Sequence, residues 1–181
     1  MQIMAFDKRN TALREEFAQL LAVSFPDAYL DCPQEEVEKC LSADRVALAA
    51  ITDGHLAGFI GAIPQYGETG WELHPLAVFP ECQRQGVGKA LTEALEKEVQ
   101  SRGGITLYLG TDDEFGRTSL AEQDLYDGLW ERIAHIRNLD NHPYQFYQKM
   151  GYSIVGVLPD VNGLGKPDIY MAKRLINFPA E

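Results

Sequence analysis

Apolar residues recur along the chain with two periods, and these predict alternating helices and strands. Apolar residues three and four positions apart predict helices over 11–24, 31–41, 86–102, 126–137 and 143–150. Short apolar runs bounded by turn residues predict strands over 1–6, 46–51, 56–63, 70–78, 105–109, 153–158 and 168–172. This order predicts one α/β (α+β) domain over residues 1–181, with a central mixed sheet flanked by helices.

Single residues mark where several of these elements begin or end. Asn10 is placed to cap the first helix, and Pro26 is expected to stop it. Asp53-Gly54 is a hairpin signal between two apolar strands. Pro75 has no N–H to donate in a sheet ladder, so the strand at 70–78 is predicted to bulge or splay there.

Alternation along the strand at 70–78 predicts which of its side chains could meet a ligand. Successive side chains of a strand point to opposite faces. Two apolar residues therefore share one face and two titratable residues share the other: Trp71 and Leu73 against Glu72 and His74.

Composition narrows the classes of function. The chain is 45% hydrophobic and 24% charged, as is usual for a globular protein, and its net charge is -11. A strongly acidic chain repels a phosphate backbone, so no nucleic-acid partner is expected. The charge suits a cationic substrate, although acidic proteins are also simply common and soluble.

The cysteines and the N-terminus predict a cytoplasmic protein. Cys32, Cys40 and Cys82 are odd in number and lack metal-ligand spacing, so we expect buried, reduced thiols without a disulfide or a metal site. The first residues do not form a signal peptide, and the longest apolar run, Val46–Ile51, is too short to span a membrane.

The segment Gln83–Ala90 predicts a phosphate-binding turn. It reads Gln-Arg-Gln-Gly-Val-Gly-Lys-Ala, and it follows a strand and opens a helix. Free N–H groups at a helix start, with glycines that allow close approach, bind a pyrophosphate. The dinucleotide fingerprint would need a glycine at Leu91, and the nucleotide-triphosphate loop is absent. A plain glycine-containing loop is the structural alternative.

Further blocks make the whole chain resemble a known family. The pattern Gln83-x-x-Gly86-x-Gly88 resembles the GNAT superfamily of N-acetyltransferases. The blocks Gly61–Gly67, Gly70–Leu76, Leu109–Asp113 and Lys166–Lys173 resemble the aminoglycoside 6′-N-acetyltransferases of the chromosomal bacterial type. The resemblance implies an antibiotic-resistance enzyme, a homodimer, and a mostly antiparallel sheet whose fourth and fifth strands part to admit acetyl-CoA.

The resemblance also assigns residues to the coenzyme. It implies that backbone groups of Leu76, Ala77 and Val78 meet the pantetheine arm. It places the pyrophosphate on the turn formed by Gln83, Arg84, Gln85, Gly86, Val87, Gly88, Lys89 and Ala90. Thr111, Tyr144 and Tyr147 complete the implied acetyl-CoA site.

Four residues are candidates for the chemistry of direct acetyl transfer. Glu72 is expected to orient the substrate ammonium and accept its proton, or only to bind it while solvent takes the proton. His74 either helps or merely lines the gap. The N–H of Leu76 is implied as the oxyanion donor. The Tyr147 hydroxyl is implied as the donor to the departing sulfur, with a core aromatic as the alternative.

The acceptor pocket should combine carboxylates with aromatic walls, since an aminoglycoside is a polycation rich in hydroxyls. The candidates are Phe25, Tyr66, Glu72, Asp112 and Glu114, with Asp113 beside the last two. Relatives place an acid where Phe115 stands here, and Glu114 is the expected replacement. A solvated acidic turn is the alternative.

The sequence is also compatible with two other functions. A GNAT enzyme acting on a polyamine or a protein amine would share the coenzyme turn and differ in its acceptor pocket. A non-catalytic acyl-CoA sensor would keep the turn but tolerate loss of Glu72.

Overall fold

The computed structural model describes residues 1–179, which form two compact units. The first unit is Met1–Leu107 together with the C-terminal segment from Leu175, and the second is Tyr108–Arg174. The prediction of a single domain stays a prediction.

The first unit is built on four antiparallel strands in the order β1-β2-β3-β4. Their bounds are β1 Gln2–Ala5, β2 Val46–Thr52, β3 His55–Tyr66 and β4 Gly70–Val78. Asp53 and Gly54, both with positive φ, form the predicted hairpin between β2 and β3. The structure confirms this turn because the primed hairpin turns require that conformation.

Four helices accompany this sheet: α1 Thr11–Ser24, α2 Pro26–Tyr29, α3 Pro33–Cys40 and α4 Val87–Ser101. The predicted cap of α1 is confirmed, since Asn10 Oδ1 accepts a hydrogen bond of 3.1 Å from the Leu13 N–H. The apolar stripe of α1 is buried against the sheet, with the rings of Phe17 and Phe59 stacked 3.9 Å apart.

The predicted end of the first helix is confirmed, since α1 ends at Ser24 just before Pro26. Pro26 then opens the short helix α2, because proline is favoured at the first helical position, where no N–H is needed. The predicted burial of Cys32 is wrong. Cys32 is exposed rather than buried, since it lies at the start of α3, before that helix turns its apolar stripe inward. Cys40 is buried, and all three cysteines are free thiols.

The predicted irregularity at Pro75 is confirmed as a bulge between β3 and β4. Ile60 pairs with Leu76 and Ala62 with Leu73, so His74 and Pro75 together oppose Gly61. A Cβ on Gly61 would lie 2.6 Å from the His74 carbonyl oxygen, which explains why this position is glycine.

The second unit contains two helices and three strands. Its elements are β5 Thr106–Asp112, of which it holds the part from Tyr108 onward, α5 Leu129–Ala134, α6 Tyr144–Lys149, β6 Ser153–Leu158 and β7 Asp168–Arg174. Strand β7 lies between β5 and β6, and it pairs with β6 antiparallel. The strand β5 extends beyond the predicted end at Leu109, and α5 is half the predicted length.

Candidate active site

The outward face of β4 forms the first part of the candidate site. Between Trp71 and Pro75 the side chains of Glu72 and His74 are half-buried, whereas Trp71, Leu73 and Pro75 are buried. The predicted division between Trp71 and Leu73 on one face and Glu72 and His74 on the other is therefore confirmed. This face leaves two titratable groups available to a ligand. Leu76 and Val78 lie beyond the bulge on the other face, because Leu76 pairs with Ile60 on the face that Ala62 and Leu73 share.

Glu72 is held by a neighbour that sequence analysis missed. Gln65, near the end of β3, donates a hydrogen bond of 2.7 Å from Nε2 to Glu72 Oε2. Ile63, two residues earlier on β3, pairs with Glu72 across the ladder, which brings the two side chains together. A fixed carboxylate that keeps its second oxygen for a ligand suits an ammonium group.

His74 meets two further residues that the sequence did not single out. Its Nε2 lies 3.4 Å from the Tyr29 hydroxyl of α2 and 3.6 Å from Glu36 Oε1 of α3. Glu36 shares a helical stripe with Val37 and Cys40, so the spacing alone could have indicated its burial. Nothing in the sequence indicated its approach to His74.

A compact turn follows β4 and carries the predicted coenzyme motif. A short 3-10 helix, Pro80–Cys82, reverses the chain. Gln83 then donates from Nε2 to the Val78 carbonyl at 3.0 Å, and Gln85 donates to the Glu81 carbonyl at 2.8 Å. The Gln83 bond fixes the turn to the end of β4, and the Gln85 bond fixes it to the 3-10 helix, so both amides hold the backbone of the turn in place.

The turn ends in a helix start suited to an anion. Gly86 takes a φ of +86°, and a Cβ there would meet open space, so the glycine answers a backbone need. The first helical bond runs from the Ala90 N–H to the Gly86 carbonyl at 3.0 Å. Within residues 1–179, no side chain caps the preceding N–H groups of Val87, Gly88 and Lys89.

Charge around this helix start fits a pyrophosphate. Arg84, with φ +58°, is an exposed cation in the turn. Lys89 is also exposed and pairs with Glu93 at 3.8 Å, a contact of little energetic weight at the surface. Helix-start N–H groups and two cations provide hydrogen-bond donors and positive charge together.

The two aromatic residues predicted for the acceptor pocket lie in the first unit. Tyr66 ends β3 with its ring 72% exposed and packed over Gly70. Phe25 joins α1 to α2, packs against the core, and meets Tyr29 edge-on with ring centroids 5.8 Å apart. Tyr66 therefore offers an open aromatic face, and Phe25 supports the residue that reaches His74.

The acidic residues after β5 divide into two kinds. Asp112 and Glu114 leave their carboxylates at least partly accessible, and Asp112 Oδ1 accepts a hydrogen bond from Asn162. Asp113 is buried and accepts from the N–H groups of Arg117 and Thr118 at 2.6 and 2.9 Å. Asp113 thus stabilises its own loop, and its predicted place among the pocket acids is wrong.

The remaining predicted residues, Thr111, Tyr144 and Tyr147, are all buried in the second unit. Burial raises the pKa of Tyr147, which therefore stays a neutral hydroxyl able to donate. Its ring packs edge-on against Phe146 and Tyr152, so the core role is real and the catalytic role stays a prediction.

His142 anchors the start of α6, which carries both tyrosines. Its Nε2 lies 3.0 Å from the Asp112 carbonyl oxygen, and Nδ1 accepts from the Tyr144 N–H at 3.2 Å. Burial lowers the pKa of His142, in keeping with a neutral ring that bonds through both nitrogens.

The described residues contain neither a metal-binding cluster nor a membrane-spanning helix. Among residues 1–179, no cluster of histidine, cysteine or acidic side chains is arranged to hold a metal ion. No helix in that part of the chain is long and apolar enough to cross a bilayer.

Comparison with known proteins now decides the family. The sequence profile of the Acetyltransferase (GNAT) family matches residues 14–121. A crystal structure of an aminoglycoside 6′-N-acetyltransferase complexed with coenzyme A is 51% identical, with a TM-score of 0.98 over 99% of this chain and 100% of that one. The chain belongs to the GNAT acetyltransferase family. Its α/β fold is the GNAT fold, as predicted, and the parting of β4 and β5 stays a prediction.

Two more GNAT proteins show how the similarity is distributed. The aminoglycoside 6′-N-acetyltransferase from Enterococcus faecium is 51% identical over 99% of this chain and 100% of its own, with a TM-score of 0.95. The [ribosomal protein bS18]-alanine N-acetyltransferase of Escherichia coli (strain K12) is 39% identical over 85 residues, 47% of this chain. The match spans about half the length of that curated relative, 53%.

Proposed function

We propose that this chain transfers the acetyl group of acetyl-CoA to the 6′-amine of aminoglycosides and so confers antibiotic resistance. The observation that carries the proposal is identity of 51% over nearly the full length with two structures named for that activity. The fixed carboxylate of Glu72 on the open face of β4 supports it, since the acceptor is a cation.

Acetyl-CoA binds to the turn that follows β4. The N–H groups of Val87, Gly88 and Lys89 bind the pyrophosphate, with charge from Arg84. Gln83 holds the turn to β4, Gln85 holds it to the 3-10 helix, and Ala90 closes the first helical bond. Backbone groups of Leu76, Ala77 and Val78 bind the pantetheine amides, and Thr111, Tyr144 and Tyr147 also belong to the coenzyme site.

The chemistry is direct attack in a ternary complex. Glu72 orients the substrate ammonium. The ammonium loses one proton, either to Glu72 or to solvent through a water molecule. The amine nitrogen then bonds to the acetyl carbon while the carbon–sulfur bond breaks, and a second N–H proton reaches sulfur. The Leu76 N–H stabilises the oxyanion, by about 3 kcal/mol for such a donor. Tyr147 donates to the departing thiolate.

The acceptor pocket draws on the acidic character of the chain. Asp112 and Glu114 attract the other ammonium groups of the antibiotic, and the exposed ring of Tyr66 packs on a sugar face. Phe25 forms a wall by way of its contact with Tyr29. Glu114 supplies the acid that the family resemblance leads us to expect near Phe115.

We further propose a cytoplasmic homodimer. Three free thiols suit a reducing compartment. The second unit exposes several large apolar side chains, among them Trp130 at 70% and Leu164 at 93%, which a second copy would cover. Light scattering coupled to gel filtration should give twice the monomer mass.

A second candidate function is acetylation of a protein amino terminus. It is favoured by the 39% identity over 85 residues with the ribosomal-protein acetyltransferase. That similarity is confined to half of this chain, whereas the similarity to the aminoglycoside enzymes is nearly complete.

Release of free coenzyme A thiol separates these functions. Purified protein is given acetyl-CoA with an aminoglycoside, spermidine or an N-terminal peptide, and Glu72→Ala is measured in parallel. We expect turnover with the aminoglycoside, and in the variant a far larger loss of aminoglycoside use than of acetyl-CoA binding. Turnover with peptide or spermidine alone would favour the other amine acceptors, and binding without turnover would favour an acyl-CoA sensor.

A further inference from the structure

Helix α3 buries a carboxylate against the strand that carries the reactive residues. Glu36 is only 6% exposed and shares its face of α3 with Val37 and Cys40. Burying an ionised carboxylate is costly unless it is paired or accepts hydrogen bonds. The partners of Glu36 therefore show what this carboxylate does.

Both oxygens of the Glu36 carboxylate have assigned neighbours. Oε2 lies 3.3 Å from the ammonium of Lys39, which is itself largely exposed. Oε1 accepts from the Cys40 thiol at 3.5 Å and lies 3.6 Å from His74 Nε2. The carboxylate thus faces the histidine that stands two residues from Glu72 on the open face of β4.

Tyr29 approaches the same ring nitrogen from α2. Its hydroxyl oxygen lies 3.4 Å from His74 Nε2. Burial, together with the negative charge of Glu36, raises the pKa of Tyr29 to about 12, so the phenol stays neutral beside the ring. Two groups therefore converge on one nitrogen of His74.

The charge of Glu36 favours one tautomer of His74. At 3.6 Å the contact is electrostatic, and a carboxylate attracts the positive end of an N–H, while the Tyr29 hydroxyl oxygen can accept from the same group, so Nε2 is the nitrogen that carries hydrogen. In a neutral imidazole the other nitrogen, Nδ1, then has a free lone pair. Resting on the proposed acetyl transfer, we propose that Glu36 is a positioning residue: it holds His74 as the Nε2–H tautomer, and Nδ1 accepts the proton that the substrate ammonium releases.

Proton transfer to His74 precedes acetyl transfer. The ammonium bound to Glu72 gives one proton to His74 Nδ1, directly or through one water. The freed lone pair forms the carbon–nitrogen bond while the thioester carbon–sulfur bond breaks. The second proton of the nitrogen passes to sulfur, and His74 later releases its proton to solvent. The negative charge of Glu36 stabilises the imidazolium in between.

The substitution Glu36→Gln tests whether the charge of Glu36 matters for the reaction. Glu36→Gln keeps the size and most hydrogen bonds of the side chain but cannot act as a charged acceptor. We expect it to lower kcat for the amine about ten-fold, within the range of proton-transfer catalysis, with the KM for acetyl-CoA unchanged. Glu35→Gln, on the exposed side of α3, is the matched control and should keep full activity.

The dependence on His74 is tested in a double-mutant cycle. If Glu36 acts through His74, Glu36→Gln should change kcat less than two-fold when His74→Ala is already present. An equal loss in both backgrounds, or full activity of Glu36→Gln alone, would overturn the proposal.

A measurement on the unaltered protein covers the case in which a variant fails to fold. Long-range proton–nitrogen NMR of nitrogen-labelled protein distinguishes the two tautomers of each of the four histidines, and His74→Gln assigns the signal. The expected result is hydrogen on Nε2 of His74, and hydrogen on Nδ1 would contradict the proposal. The tautomer is independent of turnover, so a failure of the proposed function remains distinguishable.

Discussion

Gln65 and Glu72 form a hydrogen-bonded pair on neighbouring strands, with 2.7 Å between Nε2 and Oε2. The pair matters because a carboxylate on a strand face has rotamers that point away from a ligand. The amide of Gln65 is neutral, so it fixes the carboxylate without neutralising it. In the proposed mechanism, Glu72 therefore meets the substrate ammonium with its charge intact and its geometry set in advance.

Gln65→Ala should therefore weaken the amine substrate and spare the coenzyme. We expect kcat/KM for the aminoglycoside to fall about five- to ten-fold, which corresponds to the roughly 1 kcal/mol that a typical hydrogen bond contributes. The KM for acetyl-CoA should stay within two-fold. Gln19→Ala, on the exposed face of α1, is the control. Equal effects on both substrates would show that Gln65 only supports the fold.

The bulge at Gly61 should be sensitive to a single methyl group. Gly61→Ala would place Cβ 2.6 Å from the His74 carbonyl oxygen, so β3 and β4 must shift apart. We expect a loss of about 2–3 kcal/mol in the free energy of unfolding, as for overpacked cores, measured by urea denaturation. Gly156→Ala in β6, where a Cβ meets nothing within 4 Å, should change little. An unaffected Gly61→Ala would mean that the bulge does not constrain β4.

Gly86 permits a test of the coenzyme turn with an equally strained control. Gly86 and Gly54 both have φ +86° and open space for a Cβ, so alanine at either costs about 1–2 kcal/mol of backbone strain. Gly86→Ala should in addition raise the KM for acetyl-CoA several-fold, because the N–H groups of Val87 and Gly88 turn away. Gly54→Ala should leave that KM unchanged. Similar KM values in the two variants would argue against pyrophosphate binding at this turn.

Much of the fold could be predicted from the sequence because its signals are local. The cap at Asn10, the hairpin at Asp53-Gly54 and the bulge at Pro75 each depend on the chemistry of one or two residues. The strand β5 continues three residues beyond the predicted end at Leu109, through Gly110, a residue that is usually disfavoured inside a strand. That glycine instead lets the Asp168 carboxylate of β7 come close within the sheet, a long-range reason that no local pattern displays.

The candidate site, too, could be predicted only where its residues are close together in the sequence. The coenzyme turn is one continuous segment, and both its residues and its place at a helix start could be predicted. The neighbours of His74 could not, because Tyr29 and Glu36 reach it from helices far away in the sequence. Asp112 and Asp113 are adjacent acids that the sequence does not distinguish, and only the tertiary structure shows that the Asp113 carboxylate is occupied by the N–H groups of its own loop.

Stability should decline at alkaline pH through Cys40. Burial, followed by the charge of Glu36, raises the pKa of Cys40 from 9.0 to about 12. Above pH 9 the unfolded chain releases the thiol proton and the folded protein keeps it, so unfolding becomes easier as pH rises. The contribution of this one group is about 1.4 kcal/mol per pH unit between the two pKa values.

Denaturation in urea from pH 8 to pH 10.5 measures this slope. Cys40→Ala should flatten it, whereas Cys32→Ala, at an exposed thiol, should not. Identical slopes for the wild type and Cys40→Ala would show that Cys40 ionises equally in both states.

The central claim is that this chain acetylates the 6′-amine of an aminoglycoside, and a matched pair of antibiotics tests it most directly. The measurement is kcat/KM for acetyl transfer to an aminoglycoside that carries a 6′-amine and to one that carries a 6′-hydroxyl in its place. Thiol release and the mass of the product are followed together. We expect turnover with one added acetyl group for the 6′-amine compound and none for the 6′-hydroxyl compound. Equal turnover of both compounds, or turnover of neither, would contradict the account.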